Sequence, residues 1–76
     1  MITYEIVSVG PHWTVIQYKD GVCRGGDLHW LSKGMAEAAH LVYRRWPALH
    51  GATESTIVDA MNRLSLTPNQ PRYIDI

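Results

Sequence analysis

The sequence has no phenylalanine, a single cysteine and no excess of charge of either sign, and each shortage closes off a class of protein. Cys23 alone can form no internal disulfide, which argues against a stapled secreted scaffold and makes a cytoplasmic home the natural expectation. Seven basic residues balance seven acidic ones, so the overall positive field that draws proteins to nucleic acid is missing. No apolar run approaches membrane-spanning length, and strand-like residues begin at Ile2 where a leader would carry a basic segment before an apolar one. An intracellular protein with no membrane partner is the expectation. A near-neutral chain also favours self-association, which leaves monomer and homodimer both open.

What is present reads as one small domain. Seventy-six residues bury a modest fraction of their surface, so the core must be dense. Three Trp and four Tyr supply the aromatic area, and a hydrophobic content of 46% is ordinary for a globular fold. Residues Ile2 to Val9 alternate as a strand, with Ile2, Tyr4 and Ile6 on one face and Thr3, Glu5, Val7 and Val9 on the other. Gly10-Pro11 punctuates, and a second strand runs from about His12 to Lys19. Trp13, Val15 and Gln17 share one of its faces; Thr14, Ile16 and Tyr18 share the other. Both faces carry apolar groups, so alternation alone leaves the inward face open. Asp20-Gly21 reads as a type I′ hairpin turn, which needs positive φ at both central residues. A third strand begins at Val22, Gly25-Gly26 interrupts it as a bulge or bend, and Leu28, Trp30 and Leu31 resume the apolar pattern.

Two helices follow. Ser32 is placed to cap the first. Met35, Ala39, Val42 and Trp46 form its apolar stripe, widened by Ala38 and Leu41, with Glu37 and Arg44 toward water. Pro47 stops it. Thr53 or Ser55 caps the second helix, whose stripe is Ile57, Ala60, Met61 and Leu64. Asp59 and Arg63 stand one turn apart on it in the favourable orientation. Asn69-Gln70-Pro71 reads as a turn, and Tyr73 to Ile76 as a short edge strand or a loose tail. The expected fold is α+β: a three- to four-stranded antiparallel sheet with two antiparallel helices packed on one face.

Catalytic and metal patterns are thin. His12, His29, His40 and His50 are spread ten or more residues apart, without the close ligand pairs of a zinc site, and Cys23 lacks a Cys-x-x-Cys partner. Gly25-Gly26-Asp27 lacks the spacing of a phosphate loop. No acid–base pair stands out, so neither an enzyme nor a cofactor is expected. Lys33, Arg44 and Arg45 offer a small basic patch on the first helix that could touch a phosphate backbone, although such a patch is more often the solvated edge of an amphipathic helix. Tyr4, Trp13 and Tyr18 are the more informative set, because Tyr and Trp combine large contact area with a polar handle at interfaces. Tyr4 and Tyr18 both occupy even-numbered strand positions, and are expected to share a face.

The run from Trp13 to Gly21, Trp-Thr-Val-Ile-Gln-Tyr-Lys-Asp-Gly, resembles the first hairpin of a family of small phage anti-CRISPR proteins active against type I-F systems. That family's Tyr-acidic-Asn-Gly turn is similar to Tyr18-Lys19-Asp20-Gly21. The segment Ile57-Val58-Asp59-Ala60-Met61-Asn62-Arg63-Leu64 is similar to its Ile-x-x-Ala-Met-Asn-x-Ile helix, and chain length and element order agree. The segment between hairpin and first helix is about a strand shorter here, and a contact-making Glu of the family's middle strand has no counterpart. The resemblance implies an inhibitor in the host bacterial cytoplasm. It would dock on the repeated backbone subunits of a type I CRISPR surveillance complex (Cascade) and prevent target DNA from hybridising with the guide RNA. Sheet tyrosines would make the contact, Tyr18 matching directly and Tyr4 from the first strand, with Lys19 and Asp20 at the rim. The alternative is a small nucleic-acid-binding module that lays a three-stranded sheet in a groove, an architecture resembling the arm-binding domains of phage integrases.

Overall fold

The computed structural model describes residues 1–66 and the backbone of the strand pair Tyr73–Ile74. The turn expected at Asn69-Gln70-Pro71 lies outside the described residues. Strand β1 spans Ile2–Val9 and β2 spans His12–Lys19, paired antiparallel without interruption from Ile2↔Lys19 to Val9↔His12. Asp20 and Gly21 take φ of 52° and 80°, the left-handed pair that a type I′ turn requires, and deliver the chain to β3, Val22–Cys23, along the other side of β2. The chain then leaves the ladder and returns as β4, His29–Trp30, where Trp30 pairs with Trp13. β5, Tyr73–Ile74, pairs with β4, so the sheet runs β1-β2-β4-β5 with β3 also on β2. The tail therefore contributes the edge strand that its sequence allowed.

Helix α1, Lys33–Arg45, begins at Ser32, whose Oγ accepts the Met35 N–H at 3.2 Å as a capping hydroxyl should. Pro47 stops it and opens a short 3₁₀ turn, Pro47–Leu49. Helix α2, Glu54–Arg63, follows. Both helices and the sheet close one apolar core in which Val15, Trp30, Tyr43, Ile57 and Met61 are fully buried. The fold is α+β, an antiparallel sheet with two helices, and no helix among the described residues is long and apolar enough to cross a membrane.

The inward row of α1 differs from the expected stripe in one respect. Leu41 is 43% exposed, while Tyr43 is completely buried. Helical geometry puts Tyr43 one turn beyond Ala39, in line with Ala36 and Ala39, and leaves Leu41 on the opposite side. Trp46 is only half-buried, because the helix has already ended.

The gap between β3 and β4 is bridged by side chains. The Gln17 N–H still donates to the Gly25 carbonyl at 3.0 Å, and the Arg24 N–H to the Gln17 carbonyl at 2.7 Å. At Val15 no strand backbone lies alongside. Its N–H donates to Asp27 Oδ1 at 2.8 Å, and its carbonyl accepts from His50 Nε2 at 2.8 Å. A carboxylate and an imidazole thus complete the hydrogen bonding of a central strand where the neighbouring chain swings away.

Candidate functional site

The β1–β2 register decides which tyrosines face outward. The partner of position n is position 21 − n, as in Thr3↔Tyr18 and Tyr4↔Gln17. Paired residues share a face, so an even position on β1 shares its face with odd positions on β2. Tyr4 therefore lies with Trp13, Val15 and Gln17 on the helix-covered side, and Tyr18 lies with Thr3 and Glu5 on the outer side. The shared face expected from even numbering is corrected by this register: Tyr4 and Tyr18 stand on opposite faces.

Tyr18 is half-buried in the outer face, between Thr3 on β1 and Cys23 on β3. Its hydroxyl donates to Glu5 Oε1 at 2.9 Å. That bond, reinforced by partial burial and the Glu5 charge, raises the phenol pKa above the ordinary tyrosine value, so the group stays neutral. Glu5 thereby fixes the ring's direction. Around it the outer face presents Ile16 and Val7, both half-buried, and Val9 at its far end, 38% exposed. Among the described residues the helices pack on the other side, where α1 meets Tyr4. The loop at Gly26 packs against Thr14, which is 5% exposed. Lys19 and Asp20 are exposed at the hairpin tip, where the Asp20 carboxylate pairs with the Met1 ammonium.

Tyr4 has a structural task on the other side. Its hydroxyl donates to the Tyr43 carbonyl at 3.0 Å and accepts from Gln17 Nε2 at 3.3 Å. Tyr43 is four residues before Pro47, so its carbonyl would normally receive the N–H that proline lacks. Tyr4 supplies the missing donor. The ring also meets His40 edge-on, with centroids 5.3 Å apart. Burial and the nearby Arg44 charge lower the His40 pKa, and Glu37 opposes them.

The basic residues are not gathered into one patch. Lys33 lies at the start of α1 with its ammonium 5.7 Å from the Trp13 ring, and Arg45 at the other end with its guanidinium 5.8 Å from the Trp46 ring. Arg44 borders a shallow groove with Ile2, Thr3, Tyr4, His40 and Pro47. A second open groove of about 400 Å³ lies between the 3₁₀ turn and α2, floored by Trp46, Leu49 and Ala60 and rimmed by Asp59 and Arg63.

The polar centre that sequence reasoning missed is Asp27. Its Oδ1 accepts from Thr14 Oγ1 at 2.9 Å and from the Val15 N–H; its Oδ2 accepts from Trp30 Nε1 at 2.9 Å and from the Tyr43 hydroxyl. With four donors the carboxylate has no free lone pair for proton abstraction, so this is a structural anchor rather than a base. Burial first, then the Asp27 charge, drives the Tyr43 pKa far upward. Among the described residues no group of three or more His, Cys, Asp or Glu side chains is arranged to hold a metal ion. Chemically, the surface around Tyr18 can offer apolar contact and a directed phenol. Comparisons with protein-family models, curated proteins and solved structures gave no match.

Proposed function

We propose that this chain is a binding inhibitor that acts by occupying a surface of another protein with the outer face of its sheet, Tyr18 at the centre and Lys19 and Asp20 at the rim. The observation that carries the reading is the position of Tyr18: half-exposed, oriented by Glu5 and flanked by Thr3 and Ile16 on the face opposite the one Tyr4 shares with α1. Such a tyrosine is pre-organised for an interface, because little side-chain freedom remains to be lost on binding. The resemblance of the Trp13–Gly21 hairpin and the α2 motif to the phage anti-CRISPR family supplies the partner class. That partner is a backbone subunit of a type I surveillance complex, with blocked access of target DNA to the guide RNA as the consequence. Tyr4 enters this reading as the residue that holds α1 on the sheet behind the contact.

The test uses a purified type I surveillance complex and measures binding of the chain together with loss of target DNA binding. The wild-type chain is expected to bind and inhibit, and Tyr18→Ala to lose both while keeping its circular dichroism and melting behaviour. Full inhibition by a folded Tyr18→Ala chain would remove the site. No binding by the wild-type chain would remove the partner.

A further inference from the structure

Strand β1 is an edge of the sheet along its full eight residues, and among the described residues no strand pairs with its outer side. Natural proteins blunt such an edge with Lys, Pro or a bulge. β1 has none of these: it reads Ile-Thr-Tyr-Glu-Ile-Val-Ser-Val, its register is unbroken, and Glu5 is its single charge. The Asp20 N–H donates to the Met1 carbonyl, so positions 1 and 20 form a hydrogen-bonded pair. Alternation then makes the odd positions of β1 the ones bonded to β2. Ile2, Tyr4, Ile6 and Ser8 therefore direct their N–H and C=O groups away from β2, toward the open edge.

We infer that this edge pairs antiparallel with β1 of a second copy of the chain, forming a continuous sheet across a two-fold axis. Antiparallel pairing is self-complementary, and an axis perpendicular to the sheet puts the helices of both copies on the same side. Hydrogen bonds require outward-facing positions opposite one another, and of the axes that satisfy this the two nearest the centre of β1, which keep most of the strand paired, pass through Glu5 and Ile6. The axis at Glu5 would set two carboxylates face to face. The axis at Ile6 sets Glu5 opposite Val7 of the second copy, Thr3 opposite Val9 and Tyr4 opposite Ser8, with about six new backbone hydrogen bonds. A net charge of zero adds no long-range repulsion between copies. The groove of about 330 Å³ bordered by Ile2, Thr3, Tyr4, His40, Arg44 and Pro47 lies against this edge, and the incoming strand would close it. The pairing leaves both Tyr18 patches open on the opposite side, so it stands whether or not Tyr18 contacts a partner.

Sedimentation equilibrium of the full chain over a wide concentration range tests the inference. A monomer–dimer equilibrium is expected; a monomer throughout overturns it and leaves the edge to a foreign strand. Ser8→Pro deletes only an outward N–H and adds a ring at the edge, and is expected to give a folded monomer. A folded Ser8→Pro dimer would exclude this edge. Val7→Lys and Val7→Glu remove the same apolar contact within one chain, yet place opposite charges against Glu5 of the second copy. Val7→Lys is expected to dimerise about tenfold more tightly than Val7→Glu, with the difference shrinking in high salt. Equal dimerisation of the two would refute the Ile6-centred register.

Discussion

Tyr43 donates its hydroxyl to Asp27, and this one bond ties the last turn of α1 to the place where the sheet loses its backbone partner. Tyr43 has no exposed surface, and Asp27 is the acceptor for three further donors from β2 and β4. The pair therefore couples helix packing to sheet closure. Tyr43→Phe keeps the ring but removes one donor from a partly buried carboxylate, and should cost roughly 2 kcal/mol. Asp27→Ala strands the Val15 N–H, the Trp30 N–H and the Tyr43 hydroxyl together. In so small a domain it should abolish cooperative unfolding. Urea denaturation of both variants checks the order of severity.

The same contact sets behaviour in alkali. The Tyr43 phenol resists ionisation in the folded state, while in the unfolded chain it titrates near the ordinary value of 10.0. Above that pH the unfolded state binds fewer protons than the native one, so stability falls as pH rises. Below it this contribution is fully present. Phenolate absorbance at 295 nm should show one tyrosine that ionises only together with loss of the circular dichroism signal. Tyr43→Phe should remove that tyrosine from the titration. Free ionisation of every tyrosine in the folded protein would contradict the buried assignment.

Most of this architecture was legible because local rules and tertiary packing agree. The strand limits Ile2–Val9 and His12–Lys19, the Asp20-Gly21 turn and the Ser32 cap each follow from short-range chemistry. Tyr43 stood outside the expected stripe, because burying its hydroxyl requires an acceptor that only Asp27, sixteen residues away, supplies. Asp27 was hidden because its role exists only once β3 and β4 both leave β2 at Val15, a long-range event that no window of sequence contains. The faces of Tyr4 and Tyr18 could have been read from the chain. A two-residue loop between Val9 and His12 makes paired positions differ in parity, so two even-numbered residues on β1 and β2 cannot share a side.

Gly26 is a steric requirement rather than a conformational one. A Cβ built there would sit 2.7 Å from Thr14 Oγ1, the atom that donates to Asp27 and accepts the Asp27 N–H. Gly26→Ala should push the loop off Thr14 and cost about 1–3 kcal/mol. Gly34→Ala, where the nearest neighbour of a Cβ is Ser32 Oγ at 3.9 Å and the backbone is helical, should be neutral or slightly stabilising. Melting temperatures of the two variants, compared with wild type, give the contrast directly.

Tyr4 and Tyr18 should separate stability from binding. Tyr4→Phe keeps the ring against His40 but removes the donor that serves the Tyr43 carbonyl in place of the N–H missing at Pro47. A cost of roughly 1–2 kcal/mol is expected, with partner binding retained under conditions where the variant is folded. Tyr18→Phe keeps the outer ring but releases Glu5, and its stability should stay within about 0.5 kcal/mol of wild type because the lost bond is at the surface. Its loss should appear in binding, through a less restrained ring and a carboxylate left without its hydrogen-bond donor beside the contact. Denaturation and binding measured on both variants decide the matter. If Tyr4→Phe impaired binding while leaving stability unchanged, the helix-covered side of the sheet would have to be the contact face.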